Sequence, residues 1–268
     1  MIALFIIVPL AAAFLIAVAG KFGRRLPEVI TLLVCVLLVA LAGRTFVVLR
    51  ADGFHPLIYK IGGRGIPLGI NLVVDGLSMV VVMVTSVVAL AAGLFSISYM
   101  TKYTSTEKYY ALFLLMVSGM NGVALTGDLF NLFVFMEIAT VASASLVAFG
   151  NEREDLEASF RYLVMGSIAT ISVLLAVAIL YGYTASFNMA DVSRVLARQA
   201  SGEAIAFVTV LFVVGFGIKS AIMPFHAWLP DAHPSAPAPI SAMLSGVLIK
   251  SLGVYAMVRV LWNVVGVH

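Results

Sequence analysis

The chain has 268 residues, of which 62% are hydrophobic and only 11% are charged. A soluble core of this length could not bury so much apolar surface, so the composition excludes a cytosolic enzyme, a disordered chain and a nucleic-acid-binding domain. The formal net charge of +3 is too small to indicate a polyanionic partner. The composition therefore predicts an all-α fold, a polytopic bundle of transmembrane helices.

About eight apolar runs are each long enough for a membrane helix, which needs about 20 mostly apolar residues. The predicted spans, in chain order, are Ile2–Gly20, Val29–Leu49, Gly76–Tyr99, Tyr109–Gly127, Leu129–Phe149, Tyr162–Thr184, Ala204–Met223 and Ile240–Val258. The fourth and fifth spans are joined only through Gly127 and Asp128, so we expect them to be antiparallel neighbours.

Two connections between spans are longer than the others. Arg50–Asn71 holds two adjacent glycines between short β-branched runs, which predicts a small extramembrane hairpin. Met189–Gln199 alternates apolar and charged residues with a helical period and predicts a short amphipathic helix. We expect two regions: residues 1–100, with three spans and the hairpin, and residues 101–268, with the other five spans.

Three charged side chains lie deep inside predicted spans, where each costs roughly 2.5–3.5 kcal/mol. Glu137 lies in the fifth span, Lys219 in the seventh and Lys250 near the middle of the eighth. A structural ion pair plus one lysine that snorkels to the interface is one explanation. Lys250 is too central to snorkel easily, so the pattern favours an ion pathway or a proton relay.

Five of the nine prolines in the chain crowd together shortly after Lys219. Proline removes an amide donor and interrupts a helix. Irregular backbone at membrane depth is tolerated only inside protein or beside a watery cavity. We therefore expect a discontinuous seventh helix that breaks just past Lys219, with a short second helix over Phe225–Leu229. A simple proline-rich loop between two spans is the alternative.

A helix break beside Lys219 would affect the protonation of this lysine. Carbonyl groups at a helix C-terminus favour a cation, whereas burial favours a neutral amine. An ionised Glu137 nearby would again favour the cation, so Lys219 is a plausible proton-loading site. His226, within the break, titrates near physiological pH and could pass protons, although a hydrogen-bonded structural role is the alternative.

The sequence offers little for a cofactor or a metal ion to bind. It holds one cysteine, Cys35, in an apolar run, and no cluster of Cys and His residues. Haem, iron–sulfur and zinc sites usually need such clusters. We therefore expect no cofactor, no metal site and no redox or hydrolytic active site in this chain.

Four stretches resemble a known family when they are taken together: Asp75–Ser78, Gly127–Glu137, Gly217–Ala232 and Ile249–Tyr255. They resemble the antiporter-like subunits shared by respiratory complex I, Mrp-type sodium/proton antiporters and membrane-bound hydrogenases. The resemblance runs from about residue 70 to the end of the chain. The fifth-span motif and the Asn188–Asp191 turn suit the Mrp D-type and hydrogenase-type subunits.

The resemblance implies roles for the three buried charges. Glu137 matches the fifth-helix glutamate of the family, Lys219 matches the lysine on its broken seventh helix, and Lys250 matches its eighth-helix lysine or histidine. In the family the glutamate–lysine pair opens and closes while the lysine changes protonation, and the proton moves sideways along a hydrated axis. Residues 101–268 would then form one five-helix ion-translocating repeat.

The resemblance also implies partners, because family members usually hold two such repeats in inverted orientation and this sequence contains only the first. We expect other membrane subunits around the chain, one of which supplies the second half-channel. The lipid bilayer, protons and possibly sodium are the further expected partners, with no nucleic acid. The expected location is the prokaryotic cell membrane, with multiple spans.

The predicted function is that of a proton- or sodium/proton-translocating subunit of a respiratory, hydrogenase-type or Mrp-type complex. A quinone-linked redox subunit and a structural scaffold are the alternatives. In the leading hypothesis a half-path runs through Glu137, Lys219 and His226 to Lys250, whose face lies against another membrane chain. A helical period of 3.6 residues places three further residues near that face: Met243, Val247 and Val254.

Overall fold

A computed structural model describes residues 1–20, 23, 25–63, 65, 69–199 and 202–266. It is an all-α bundle with one small two-stranded sheet. In the described part of the chain, seven helices are long and apolar enough to cross a membrane, and one shorter apolar helix precedes them. The predicted fold class is therefore confirmed.

The N-terminal helices correspond to the first three predicted spans. Helix α1 covers Leu4–Ala19, α2 covers Leu26–Ala51 and α3 covers Gly76–Tyr99. Helix α1 has 16 residues, and at 1.5 Å per residue it is about 24 Å long. Since a bilayer core is about 30 Å thick, α1 falls short of a full membrane helix.

The predicted hairpin lies between α2 and α3. Strand β1 (Leu57–Lys60) pairs antiparallel with β2 (Asn71–Val74), although residues 64 and 66–68 of this connection lie outside the described residues. Helix α3 then begins with a capping box, in which the Asp75 carboxylate accepts a hydrogen bond from the Ser78 amide at 2.9 Å.

The next four helices continue the bundle. Helix α4 (Thr106–Leu125) packs against α5 (Leu129–Val147), and α5 packs against α6 (Arg153–Thr184). Helix α6 begins earlier than predicted because acidic residues in its first turn favour the positive end of the helix dipole. Helix α7 (Met189–Gln199) is the predicted amphipathic helix.

The predicted break is confirmed, but its second helix lies elsewhere. Helix α8 (Gly202–Lys219) ends at Lys219, residues 220–228 form turns, and α9 covers Leu229–Ser235. The predicted helix over Phe225–Leu229 is therefore wrong. Pro230 explains the difference, because proline is favoured in the first turn of a helix, where its missing amide costs no hydrogen bond.

An ion pair ties α6 to the segment that follows the break. Arg161 contacts Glu157 at 2.5 Å and Asp231 of α9 at 2.6 Å. The Glu157 contact lies within α6, whereas the Asp231 contact joins α6 to α9. Both pairs are largely exposed, so each contributes at most about 1 kcal/mol to stability.

The last helix, α10, covers Ala238–Val265 and is α-helical only in part. Residues Leu244–Tyr255 and Leu261–Val265 are π-helical. A π-helix has more residues per turn than an α-helix, so it changes which side chains share a face. The outward-facing residues of the first π-helical stretch and its preceding turn are Ala242, Ser245, Gly246, Lys250 and Val254.

The predicted partner-facing surface of this helix is therefore only partly right. Val254 is exposed, as expected, but Met243 and Val247 are buried inside the bundle. The 3.6-residue period placed them beside Lys250, and the wider π-helical turn moves them away from it.

Candidate functional site

Lys219 lies at the C-terminal end of α8, enclosed by α5 and α6. Its side chain is buried, with 3% of the residue exposed. The Lys219 Nζ donates a hydrogen bond to Thr140 Oγ1 of α5 at 2.6 Å. On the α6 side, a Cβ atom on Gly166 would lie 3.5 Å from the same Nζ. The ammonium group therefore sits where three helices meet.

The orientation of the Thr140 hydroxyl is fixed by its own helix. It donates to the Met136 carbonyl at 2.7 Å. A hydroxyl has one donor and two acceptor lone pairs, so this bond leaves its lone pairs for the donor-only lysine ammonium. Because a hydrogen bond from an ionised group is stronger than a neutral one, Thr140 is an effective anchor for Lys219.

Glu137 lies one turn before Thr140 on α5, and therefore on the same side of that helix. Its charge acts on Lys219 through space, yet none of the four ion pairs among the described residues joins the two side chains. The Glu137 Oε1 atom is buried without a hydrogen-bond partner in the described part of the chain. The Glu137 charge thus lies within electrostatic range of Lys219 without an ion pair between the two side chains, and one Glu137 oxygen atom has no partner among the described residues.

The turns after Lys219 are fastened back to the bundle by Trp228. Its indole Nε1 donates to the Ile218 carbonyl at 3.0 Å, which satisfies one of the carbonyl groups that a helix end leaves free. The Trp228 ring stacks on Tyr162 of α6 with centroids 4.7 Å apart. The Tyr162 hydroxyl is 2.8 Å from Ser143 Oγ of α5. The break is therefore held rigidly beside the helix that carries Glu137.

Lys250 lies in the π-helical stretch of α10 and is exposed. Its Nζ donates to the Ser245 carbonyl of its own helix. Between the break and Lys250 lies His233, which is half-buried and has Nδ1 2.9 Å from Ser241 Oγ. The Lys250 charge acts on His233 through space, so these two groups share one region.

His226 occupies a different environment. It is exposed within the turns of residues 220–228, and its imidazole makes no hydrogen bond to any residue that the structure describes. Its carbonyl accepts a bond from the Leu229 amide at 3.0 Å at the start of α9. Of the two histidines near the break, His233 is the one whose ring has a hydrogen-bond partner among the described residues.

A second charged contact joins the start of α3 to the end of α10. The Arg259 guanidinium binds both carboxylate oxygens of Asp75, each at 2.7 Å. Burial alone would raise the pKa of the Asp75 carboxyl, but the bonds from Arg259 and from the Ser78 amide hold that pKa below its usual value. This contact fixes the far end of the helix that carries Lys250.

No pattern in the sequence specifically selected Thr140, Gly166 or Asp75 as partners of the charged residues. Thr140 lies three residues after Glu137, and that spacing was the available signal. As for metals, no group of three or more His, Cys, Asp or Glu residues that could hold an ion occurs across residues 1–20, 23, 25–63, 65, 69–199 and 202–266.

Two protein families match the sequence. The family described as NADH:quinone oxidoreductase/Mrp antiporter, TM, matches residues 126–267. The family described as NADH-Ubiquinone oxidoreductase (complex I), chain 5 N-terminus, matches residues 61–114. Both matches agree with the resemblance found in the motifs.

Curated relatives include components of two kinds of complex. The chain is 40% identical over 212 residues to the N subunit of NADH-quinone oxidoreductase from Desulforudis audaxviator. The aligned region covers 78% of this chain and 42% of that protein. It is 30% identical over 255 residues to the D subunit of the Na(+)/H(+) antiporter from Bacillus subtilis. That aligned region covers 95% of this chain and 51% of the antiporter subunit. The chain thus spans about half the length of the curated relatives it matches.

Solved structures with the same fold belong to multisubunit membrane complexes. One is the membrane-bound sulfane sulfur reductase, an archaeal respiratory membrane complex, with a TM-score of 0.92, 34% identity, and coverage of 99% of this chain and 54% of that chain. Another is the Mrp complex from Dietzia sp. DQ12-45-1b, with a TM-score of 0.87, 30% identity, and coverage of 99% and 48%.

Proposed function

Because the chain belongs to the NADH:quinone oxidoreductase/Mrp antiporter membrane family, we propose that it translocates protons, or sodium coupled to protons, within a multisubunit membrane complex. The chain is an integral multi-pass membrane protein. The names of its relatives support an ion-translocating role in a respiratory or antiporter complex. The observation that carries the proposal is the buried Lys219, bound to a neutral hydroxyl beside an unpartnered carboxylate oxygen.

In the proposed mechanism Lys219 is the group that gains and loses the proton. A desolvated ammonium without a counter-charge is costly, so Lys219 holds its proton best when Glu137 is ionised and close. When Glu137 is neutral or distant, the same burial favours release of the proton from Nζ. Opening and closing of the Glu137–Lys219 pair would thereby load and unload the carrier.

The released proton would next move towards α10. We assign His233 to this step, because it is half-buried beyond the break and the Lys250 charge acts on it. A neutral imidazole can accept a proton on one nitrogen while it donates from the other. The proposed role of His226 is limited to proton exchange at the exposed side of the break.

We further propose that another membrane chain covers the outward face of α10. A charged side chain that faces lipid at bilayer depth is costly. The residues around Lys250 on this face are small, which permits close approach of another helix. Such a chain would receive the proton from Lys250 and supply the second half-channel, with residues 101–268 forming the first translocating repeat and residues 1–100 its support.

Replacement of Lys219 tests the proposed function. In the assembled complex, reconstituted in vesicles, we expect Lys219→Arg to transport almost as poorly as Lys219→Ala. Arginine keeps the charge but does not deprotonate in proteins. The measurements are the rate of proton or sodium transport and the yield of this chain in the complex.

The matched control is Lys108→Arg, because Lys108 is exposed at the start of α4. This control should transport at the normal rate. Near-normal transport by Lys219→Arg would leave the lysine with a purely structural charge and contradict the proposal.

A further inference from the structure

We propose that the Lys219 ammonium has two alternative hydrogen-bond acceptors, the Glu137 carboxylate and the Thr140 hydroxyl. It binds the Thr140 hydroxyl when it is separated from Glu137. This inference rests on the proposed function and names a residue that the motifs did not select. Thr140 would act directly on the atom that carries the proton, as a neutral acceptor in place of the carboxylate.

The first support is the contact itself. The 2.6 Å bond to Thr140 Oγ1 is the only side-chain hydrogen bond that Lys219 makes within the described part of the chain. Both residues are buried, so this bond alone replaces the water that the ammonium loses. Since a buried ammonium without any acceptor is strongly disfavoured, the open arrangement depends on this hydroxyl.

The second support is the spacing of the two acceptors. Glu137 and Thr140 are three residues apart on α5, which places their side chains on one face with Cβ atoms roughly 5–6 Å apart. A lysine has a flexible four-carbon stem, and its ammonium can rotate three donors. Lys219 can therefore exchange one acceptor for the other by side-chain rotation, without movement of the helices.

The third support is the space around the ammonium. A Cβ atom on Gly166 would lie only 2.9 Å from Thr140 Cγ2 and 3.5 Å from Lys219 Nζ. The missing side chain thus lets α6 approach α5 and still leaves room for the ammonium between them. A Cβ atom at this position would press on Thr140 Cγ2 and would already be in van der Waals contact with the ammonium.

The surrounding contacts form a closed ring that keeps the helices in place. Ser143 Oγ donates to the Thr140 carbonyl at 2.9 Å, and the same Oγ contacts the Tyr162 hydroxyl. Tyr162 stacks on Trp228, which binds the carbonyl of the residue before Lys219. The end of α8 and the turns that follow Lys219 are therefore held in place, and the lysine side chain is the part that is free to move.

The experiment compares variants of Thr140 in the assembled complex. Thr140→Val removes the hydroxyl and keeps the shape, so Lys219 would have only Glu137 to pair with and the pair would stay closed. We expect transport to fall roughly tenfold or more, the effect of losing one bond to a charged group. Thr140→Ser keeps the hydroxyl and should transport within about twofold of the original rate, since the same bond can form.

The matched control is Thr170→Val on α6. Thr170 is also buried and also donates to a carbonyl of its own helix, but no lysine among the described residues donates to it. This variant should transport normally. Normal transport by Thr140→Val, or an equal loss in Thr140→Ser, would overturn the inference, because the hydroxyl would then not matter.

The yield of the assembled complex and the transport rate of Lys219→Ala distinguish the remaining outcomes. If Thr140→Val does not assemble, Thr140→Ala repeats the comparison without added bulk, and failure of both to assemble would overturn the inference in favour of a packing role. Normal transport by Lys219→Ala would defeat the proposed function, whereas lost transport in Lys219→Ala with normal transport in Thr140→Val defeats only the role of Thr140.

Discussion

The charged side chains of the membrane helices have partners of different kinds. Arg259 has a carboxylate, Lys219 has a neutral hydroxyl, and Lys250 has a carbonyl of its own helix. Glu137 has a buried oxygen atom with no partner in the described part of the chain. A fully paired charge such as Arg259 suits a structural role, while the incompletely paired ones suit groups that exchange protons.

The Asp75–Arg259 pair gives a stability prediction. Asp75→Asn leaves a partly buried arginine without its counter-charge, so we expect the free energy of unfolding to fall by about 3 kcal/mol. The control Asp191→Asn removes a single longer contact of 3.5 Å to Arg194, whose side chain is 64% exposed, and should cost at most about 1 kcal/mol. Thermal unfolding of the purified chain in detergent measures both, and equal effects would contradict the structural role.

The pH dependence of this contribution has a definite sign. The pKa of Asp75 is lower in the folded protein than the value of about 3.9 expected in the unfolded chain. The stabilisation is therefore fully present above the unfolded pKa and is lost as the pH falls through the folded one. Acidification below about pH 4 should destabilise the original protein more than Asp75→Asn, which has no carboxyl to titrate.

At the scale of helices, the break after Lys219 was predictable and the π-helical stretch was not. Clustered prolines interrupt backbone hydrogen bonds, and that signal is local in the sequence. The segment around Lys250 holds no proline and its hydropathy fits an ordinary α-helix, so nothing local indicated a wider turn. Packing against α3, α4 and α8 is the setting in which this turn occurs.

The outward face of α10 can be tested with single cysteines. Val254→Cys, at an exposed position, should crosslink to a neighbouring membrane chain in the assembled complex, because a second chain is proposed to cover Lys250. Val247→Cys, at a buried position one turn before Lys250, should not crosslink. The natural Cys35 is buried, so it should contribute little crosslinking of its own. Reaction of Val254→Cys with lipid-soluble reagents alone would mean that this face contacts lipid.

At the scale of the whole molecule, the hydropathy of the sequence was sufficient to select Glu137, Lys219 and Lys250. A charge in an apolar run is conspicuous because of its insertion cost. Thr140 and His233 were harder to select, because a threonine is ordinary in a membrane helix and the sequence has two histidines near the break. Their positions depend on how α5, α6 and α9 come together, which is a property of the tertiary structure.

The most direct test of the proposed ion translocation is the transport rate of Glu137→Gln in the reconstituted complex. Glutamine keeps the shape of the side chain but cannot hold the charge that acts on Lys219. We expect ion transport to fall to the background of empty vesicles while the yield of the assembled chain stays normal, and the exposed control Glu154→Gln to transport normally. Near-normal transport by Glu137→Gln, or loss of assembly in place of transport, would contradict a carrier role for the Glu137–Lys219 pair.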